Sequence, residues 1–205
     1  MGRTSDASER LIKAALDLMW EESYGAITID DICKRADVKK GSFYYFYESK
    51  ADLAVAALES LWLNQWKPSL DTHFSSSVEP LDRIKSYLNT AYERQARLKA
   101  EKGKVLGCPV FSLGSEIGTQ DDKVAAKVRE IISRKRRYYE SAIRDGMADG
   151  SMQPGDPLER LNCLVGLIEG TLCQARIMND AETLRTLPQM AANLLRAQKS
   201  ATIHA

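Results

Sequence analysis

The chain has 205 residues, of which 44% are hydrophobic and 28% charged, and its 29 Lys and Arg against 28 Asp and Glu leave a net charge of +1. These values are ordinary for a globular protein and exclude a polycation, so any contact with nucleic acid must come from a local patch. No apolar run approaches the roughly 18 residues of a membrane span, so no membrane association is expected. Four cysteines without a CxxC pair and two histidines predict no disulfide framework, metal or other cofactor, and they fit a reducing cytoplasm. These residues are Cys33, Cys108, Cys163, Cys173, His73 and His204.

Apolar residues at helical spacing predict a first helix near the N-terminus. They are Leu11, Ala15, Leu18 and Met19. We expect a capping box of Asp6 and Glu9 to start this helix and Gly25 to end it.

Two short helices with a tight turn are predicted next. Thr28 is placed to cap the second helix, with Asp31 three residues later, and residues 36–38 are predicted to form a turn. A third helix then begins at Lys39. Together these elements have the outline of a helix-turn-helix motif.

Proline, glycine and capping signals predict the remaining helices. Ser49 and Asp52 cap a fourth helix that extends to about Trp66, and a polar connection follows over 72–77. Further helices are predicted over about 80–98, 108–117, 121–147, from Asp156 and Pro157 through Leu172, and over 181–198, with a charged loop at 99–107. Because no strand alternation is found, we predict an all-α fold of about nine helices.

Residues 39–50, KKGSFYYFYESK, place a run of aromatic residues among three lysines. The second helix of a helix-turn-helix enters the major groove, where tyrosine hydroxyls can donate to phosphates and aromatic rings can contact thymine methyl groups. We expect two of the aromatic residues to pack inward on Leu11 and Ile32 and three to turn partly outward. The inward pair is Phe43 and Tyr47, and the outward set is Tyr44, Tyr45 and Phe46. The alternative is an aromatic plug that is wholly buried.

Residues 28–53, TIDDICKRADVKKGSFYYFYESKADL, resemble the DNA-binding domain of TetR-family transcriptional repressors. The shared positions in the motif are Gly41, Ser42, Phe43, Tyr44, Tyr47, Ser49, Lys50 and Leu53. Similar residues upstream are Ile12, Ala15, Leu18, Gly25, Thr28, Ile32 and Ala36. One departure is clear, because the family often has histidine followed by phenylalanine where this chain has Phe46 and Tyr47. Any polar contact of that histidine is lost here.

The resemblance implies a DNA-binding domain over 1–50 and a ligand-binding and dimerisation domain over 51–205. It implies a repressor that releases a palindromic double-stranded DNA operator when a small-molecule effector binds, with an activator as the alternative. The implied DNA contacts are Thr28 and Lys50 at phosphates, Lys39, Lys40, Ser42 and Tyr45 in the groove, Tyr44 at the backbone and Gly41 where the DNA approaches closely. Basic residues cluster around the motif even though the first fifty residues are not basic overall. They are Lys34, Arg35, Lys39, Lys40 and Lys50.

A homodimer is expected, because a single motif contacts few base pairs and two-fold dimers reach two half-sites about 34–36 Å apart. Apolar stripes on the last two helices are the predicted dimer surface, and two small residues four apart would let helices approach closely. The predicted residues are Leu161, Val165, Gly166, Ile168, Gly170, Leu172, Leu184, Leu187, Ala191, Leu194 and Leu195. The alternative is that both stripes are consumed inside one subunit.

The middle helices would surround the effector, as the resemblance implies. Candidate lining residues are aromatic side chains with a few polar ones. They are Trp62, Trp66, Tyr87, Tyr92, Phe111, Glu116 and Tyr139. For each of them a place in the ordinary core is the alternative.

Cys108 is a further candidate at the effector site, because it precedes Pro109 at the start of a predicted helix. A helix N-terminus and the nearby Lys102 and Lys104 would favour the thiolate. The segment is also similar to that of some TetR-like regulators that sense electrophiles or oxidants, so a thiol-based sensor is an alternative to noncovalent control. An inert buried cysteine is the other interpretation.

Two other functions are considered. The sequence contains no metalloprotease, hydrolase, P-loop or dinucleotide motif, which disfavours an enzyme. An all-α adaptor without DNA binding would differ from the repressor in lacking salt-dependent affinity for duplex DNA. The basic run at 133–137, SRKRR, is interpreted as a solvated helix face rather than a second nucleic-acid site.

Overall fold

The computed structural model describes residues 2–196, with side chains from residue 6 onward. The α-helices are α1 (Gly2–Glu21), α2 (Ile29–Ala36), α3 (Lys40–Phe46), α4 (Lys50–Leu61), α5 (Lys67–His73), α6 (Pro80–Lys102), α7 (Pro109–Ile117), α8 (Asp122–Ala148), α9 (Pro157–Met178) and α10 (Leu187–Leu195). A π-helical turn, Trp62–Trp66, joins α4 to α5 without a break, so the ten α-helical segments of residues 2–196 form nine continuous helices. A short 3-10 helix, Ala181–Leu184, precedes α10. Within residues 2–196 the only β pairing is an isolated bridge between Met152 and Arg196. The predicted all-α fold is confirmed.

The local capping signals have the predicted geometry. The Thr28 hydroxyl accepts the Asp31 N–H at the start of α2, and the Ser49 hydroxyl accepts the Asp52 N–H at the start of α4. The Asp156 side chain caps α9, which has a proline in its first turn. These bonds satisfy N–H groups that have no partner inside the helix.

The predicted start and end of α1 are wrong. The helix begins at Gly2 and ends at Glu21, so Asp6 lies inside it and not at its start. Asp6 pairs there with Arg10, one turn later, at 3.4 Å. An acidic residue four positions before a basic one stabilises a helix interior, so the same carboxylate supports the helix without capping it.

The fourth helix does not stop near Trp66, because the chain stays helical to His73 and passes through Pro68. A proline inside an α-helix clashes with the carbonyl four residues before it. Here the Lys67 N–H donates to the Trp62 carbonyl, five residues back, and the wider π-helical turn gives the proline ring room. The polar connection predicted over 72–77 is correspondingly shorter.

The single last helix predicted over 181–198 is also wrong in its extent. It divides into the 3-10 helix and α10, with Pro188 in the first turn of α10. Proline has no N–H to donate and suits only the first turn of a helix, so a new helix begins there. Residues 197 and 198 of the predicted helix, and His204, lie outside the described residues.

Two compact units make up the chain. Unit 1 is built from Met1–Pro68 and Cys108–Arg134, and unit 2 from Ser69–Gly107 and Lys135–Ala205. In unit 1, α1 packs against α2, α3, α4 and α7. In unit 2, α10 packs against α6 and α9. The functional division predicted at residue 50 stays a prediction.

A membrane crossing needs a longer and more apolar helix than any that residues 2–196 form.

Candidate nucleic-acid interface

A three-residue turn joins α2 to α3. Asp37 adopts the left-handed conformation (φ 52°, ψ 51°), and its N–H donates to the carbonyls at the end of α2. The Val38 N–H returns to the Cys33 carbonyl at 3.0 Å. These bonds end α2 sharply, and α3 begins with Lys39 at its N-cap. The predicted helix-turn-helix geometry is present.

Arg10 on α1 holds this turn in place. Its Nη1 donates to the Ala36 carbonyl at 2.9 Å and to the Asp37 carbonyl at 3.0 Å. The carbonyls at a helix C-terminus lack intrahelical partners, and a guanidinium satisfies them well. Arg10 was not among the predicted site residues, because the sequence shows only that it lies four residues after Asp6.

The aromatic run divides into buried and exposed members. Phe43 is fully buried and is the only buried residue of α3. Tyr47, just after α3, is half-buried, and its hydroxyl lies 2.8 Å from the Ser8 hydroxyl. Tyr44 and Tyr45 are 53% and 74% exposed, which excludes a wholly buried plug. Phe43 therefore anchors a helix whose neighbouring tyrosines face outward.

Lys39 and Lys40 are both exposed at the start of α3. The Lys40 ammonium lies 2.9 Å from the Asp30 carboxylate on α2, and the hydrogen bond to Asp30 raises the Lys40 pKa. A phosphate or base acceptor would have to replace Asp30 as the partner of Lys40. Sequence spacing did not reveal this competitor.

Gly41 has no packing reason to be a glycine. A β carbon built at residue 41 would meet nothing within 4 Å among the residues that the structure describes. Its φ is not positive, so the backbone does not require glycine either. The open space fits the predicted close approach of an external partner. The neighbouring Ser42 is half-buried, and its N–H donates to the Lys39 carbonyl.

The two residues predicted to bind phosphates have other partners here. The Thr28 hydroxyl donates to Asp31 Oδ2 at 2.6 Å, and this hydrogen bond lowers the Asp31 pKa. The Lys50 ammonium donates to the Tyr24 and Ile27 carbonyls, both at 2.8 Å, and lies 4.2 Å from the centre of the Tyr24 ring. Burial lowers the Lys50 pKa. Lys50 thus supports the loop before α2, and its phosphate contact stays a prediction.

Glu116 on α7 binds the backbone of the loop before α2. Its carboxylate accepts the Tyr24 N–H at 3.0 Å and the Gly25 N–H at 2.6 Å. The loop before α2 is therefore held by Glu116 at two N–H groups and by Lys50 at two carbonyls. Both carboxylate oxygens of Glu116 are thus engaged by the backbone of this loop, and its place in the effector site stays a prediction.

Charged pairs fasten α4 to the first half of α8 within unit 1. Asp52 pairs with Lys123, and Glu59 pairs with Lys127 and Arg134 at 3.0 Å each. The hydrogen bonds from Lys127 and Arg134 lower the Glu59 pKa against the opposing effect of burial. Since α4 follows α3 after three residues, these pairs help set the position of the helix-turn-helix.

The other candidate effector residues are divided between the two units. In unit 1, Trp62 and Trp66 are buried on the π-helical turn, and half-buried Phe111 lines an open groove of about 250 Å³ between α7 and α8. In unit 2, the Tyr87 ring packs against the rings of His73, Phe74 and Tyr139, and the Tyr92 hydroxyl donates to Glu182. Cys108 is the N-cap of α7 and only 5% exposed.

The predicted dimer stripes lie largely in the core of unit 2. The buried members are Leu161, Ile168, Leu172, Leu184, Leu187, Ala191 and Leu195. Val165 and Leu194 are half-buried, whereas Gly166 and Gly170 are exposed. These residues are buried because α10 packs against α9 and α6 and covers the apolar stripe from within the same chain. The exposed face of α9 carries Gly166, Gly170, Cys173 and Ile177 instead.

Two family models match the chain. Residues 11–57 match the bacterial regulatory proteins of the tetR family, and residues 80–191 match the tetracyclin repressor-like C-terminal domain. The first match contains the whole helix-turn-helix, and the second covers more than half of the chain.

Individual proteins similar to this chain are also transcriptional regulators by name. The transcriptional regulator AcuR of Cereibacter sphaeroides is 32% identical over 147 residues, which are 71% of this chain and 65% of AcuR, slightly less than two thirds of that protein. The repressor NemR of Escherichia coli is 22% identical over 93% of this chain and 94% of NemR. These names describe transcriptional regulators, in agreement with the predicted regulatory role.

Solved structures share the fold. A regulatory protein TetR from Rhodobacter sphaeroides superposes with a TM-score of 0.82 at 28% identity, covering 92% of this chain and 98% of that one. Reduced Escherichia coli NemR gives a TM-score of 0.79 at 23% identity, covering 96% and 100%. With its helix-turn-helix, its exposed tyrosines and lysines and both family domains, the chain belongs to the TetR family of bacterial regulatory proteins and is a DNA-binding transcriptional regulator.

Proposed function

We propose that the protein is a homodimeric repressor that binds a palindromic operator through α3 and releases it when a small-molecule effector binds. The observation that carries this proposal is the exposure of Tyr44, Tyr45, Lys39 and Lys40 on a helix anchored by buried Phe43. Two large aromatic side chains are costly to leave in water, so their exposure on a basic helix favours a partner surface.

The exposed groups suit duplex DNA. Lysines supply the phosphate contacts that dominate affinity, and tyrosines can donate to phosphates or contact thymine methyl groups in the major groove. Lys40 would exchange Asp30 for an acceptor on DNA. An acidic side chain beside the contact lowers binding to any DNA that does not offer a good acceptor, which favours specificity over affinity.

The exposed face of α9 supports a two-fold dimer. Ile177 on this face is 75% exposed, and the other exposed large apolar side chains of α9 and α10 are Leu158, Met178 and Met190. β carbons built at Gly166 and Gly170 would meet nothing within 4 Å in the described part of the chain, so a helix of a second copy could approach closely there. A two-fold dimer requires a palindromic operator.

Effector control would act through the supports of the helix-turn-helix. The loop before α2 is held by α7 through Glu116, and α4 is held by α8 through charged pairs. An effector that favours another arrangement of α7 or α8 would therefore change the position of α3. It must bind the DNA-incompetent arrangement more tightly than the competent one, since equal affinity for both shifts nothing.

Noncovalent control is favoured over the thiol-based alternative. Cys108 is buried at the start of α7, so an electrophile has little access to its sulfur. Reactive cysteines are usually partly exposed.

Selection of bound duplexes from a random pool by the purified protein tests the proposal. We expect sequences with two-fold symmetry and half-sites one or more helical turns apart. Tyr45→Ala is the matched control, because the side chain of Tyr45 is exposed and its removal should leave the fold intact. This variant should bind the selected sequences more weakly by about 1–3 kcal/mol. The proposal would be contradicted by selected sequences without two-fold symmetry. It would also be contradicted if Tyr45→Ala bound the selected sequences as tightly as the wild type.

A further inference from the structure

Five exposed residues form a single line along α9. They are Cys163, Gly166, Gly170, Cys173 and Ile177, and they recur at alternating spacings of three and four residues. Helical residues at these spacings lie on one face, and the same repeat forms the contact line between two packed helices. The buried residues of α9 lie on the opposite face, so this line is still open after one chain has folded.

The two glycines of this line are not explained by the fold of one chain. Gly166 and Gly170 do not have positive φ angles, and a β carbon built at either would meet nothing within 4 Å among the residues that the structure describes. A glycine inside a helix is less stable than an alanine by about 1 kcal/mol. A second helix that packs closely on this face gives both glycines a reason, because a β carbon would hold it away.

The line is symmetric about one point of the helix. Gly166 and Gly170 each lie two residues from residue 168, and Cys163 and Cys173 each lie five residues from it. A two-fold axis at this level would run the α9 helices of two copies antiparallel. It would set Gly166 opposite the partner's Gly170 and Cys163 opposite the partner's Cys173. The cysteines therefore select the same axis as the glycines, although close packing alone does not require cysteines.

This register brings unlike cysteines within reach of each other. Closely packed helices have axes about 8 Å apart, and each Cα lies about 2.3 Å from its axis, so opposed Cα atoms at the contact line are separated by about 5–6 Å. A disulfide needs a Cα separation of about 4.4–6.8 Å. Like cysteines are separated by about 15 Å along the helix pair, because the helix rises about 1.5 Å per residue.

We propose that α9 packs antiparallel on α9 of a second copy, with the two-fold axis at residue 168, and that an oxidant joins Cys163 to the partner's Cys173. Each dimer contains two such pairs. The proposal rests on the proposed homodimer and specifies the register of its interface. Packed helices cross at an angle and diverge away from the crossing point, so a small oxidant reaches the thiols at the edge of the contact.

Hydrogen peroxide supplies the oxidising equivalents. It converts one thiol to a sulfenic acid and releases one water, and the second thiol then displaces the sulfenic hydroxyl group as a second water while the S–S bond forms. The two sulfurs give up two electrons, which reduce the O–O bond. The other two cysteines, Cys33 and Cys108, are buried inside the subunit.

The first test is electrophoresis without reductant after treatment of the full-length protein with hydrogen peroxide. The wild type should give a covalent dimer that dithiothreitol removes. Cys163→Ser and Cys173→Ser are matched variants on the exposed face, and each should give none, because only like cysteines about 15 Å apart remain. A wild type that does not cross-link, or a single variant that does, would overturn the proposed register.

The second test combines the two variants by expressing them together. In a mixed dimer, Cys173 of the Cys163→Ser subunit lies opposite Cys163 of the Cys173→Ser subunit, so the cross-link should return. Peptide mass spectrometry should then find Cys163 joined to Cys173. Failure of the mixed sample to cross-link would contradict the antiparallel pairing.

Sedimentation of the reduced wild type separates this register from the proposed homodimer. We expect a dimer under reducing conditions. A reduced dimer that peroxide does not cross-link would leave the homodimer standing and would show that the axis at residue 168 is wrong. A reduced monomer would contradict the homodimer itself and this register with it.

Discussion

The Glu116 carboxylate and the backbone of Gly25 fit each other closely, 91 residues apart in the chain. Glu116 Oε1 accepts the Gly25 N–H at 2.6 Å, and a β carbon at residue 25 would lie 3.0 Å from the same oxygen. The glycine is therefore explained by the carboxylate that approaches it. Through this contact α7 holds the loop that precedes the helix-turn-helix.

Loss of this contact should loosen the DNA-binding helices. Glu116→Ala leaves two N–H groups to water, and we expect a loss of about 1 kcal/mol, or about 2–4 °C in melting temperature, with weaker operator binding. Gly25→Ala should reproduce both effects by pushing the carboxylate away. The salt dependence of binding should not change, since neither residue contacts a phosphate. Normal operator affinity in both variants would show that the contact does not position α3.

Lys50 should behave as a support and not as a phosphate contact. In Lys50→Ala the Tyr24 and Ile27 carbonyls lose their donor, so operator affinity should fall while the slope of log affinity against log salt stays constant. The comparison is Lys39→Ala, an exposed lysine, which should reduce the slope by about 1. A slope change of that size for Lys50→Ala would instead support the phosphate contact that the family resemblance implies.

Gly41→Ala should separate stability from binding. Alanine is favoured over glycine in a helix by about 0.5–1 kcal/mol, and the added methyl group meets nothing in the described part of the chain. Denaturant unfolding should therefore show equal or higher stability, while operator binding weakens because the methyl group faces DNA. Unchanged binding would show that DNA does not approach this backbone closely.

Asp30→Asn should strengthen binding to DNA of any sequence. The substitution frees the Lys40 ammonium from its carboxylate partner and removes a negative charge next to it. Fluorescence anisotropy with operator and unrelated duplexes should show a larger gain for the unrelated duplex, so discrimination falls. Lys40→Ala is the opposing control and should weaken both. A variant that loses affinity for unrelated DNA would show that Asp30 has another role.

The dimer surface is best tested on the exposed face of α9. Ile177→Arg and Gly170→Arg place a charge on this face without entering the core, so sedimentation should show monomers with a normal helical content and no operator binding. Leu172→Arg is the contrast, because Leu172 is buried within the subunit and its substitution should unfold unit 2. Dimers that persist in both exposed variants would place the interface elsewhere.

Short-range contacts along the chain explain the local elements of this protein. The caps at Thr28 and Ser49 were predictable because each rests on a hydrogen bond between residues three apart. The inward turn of Phe43 and the exposure of Tyr44 and Tyr45 also followed from spacing along one short helix. The resemblance of residues 28–53 to the TetR family was also visible in the sequence, because it depends on a run of adjacent residues.

Tertiary structure alone decided which of these side chains are already engaged and which face of a helix is free. Arg10 reaches a turn 26 residues away, Glu116 reaches Tyr24 across 92 residues, and Lys135 meets Glu169 on another helix. No local pattern encodes such pairs, because they depend on how helices pack after they form. The apolar stripe of α9 showed the same limit. An apolar stripe predicts that one face of a helix is buried, but it does not identify the helix that covers that face. In this protein α10 of the same chain covers the stripe of α9.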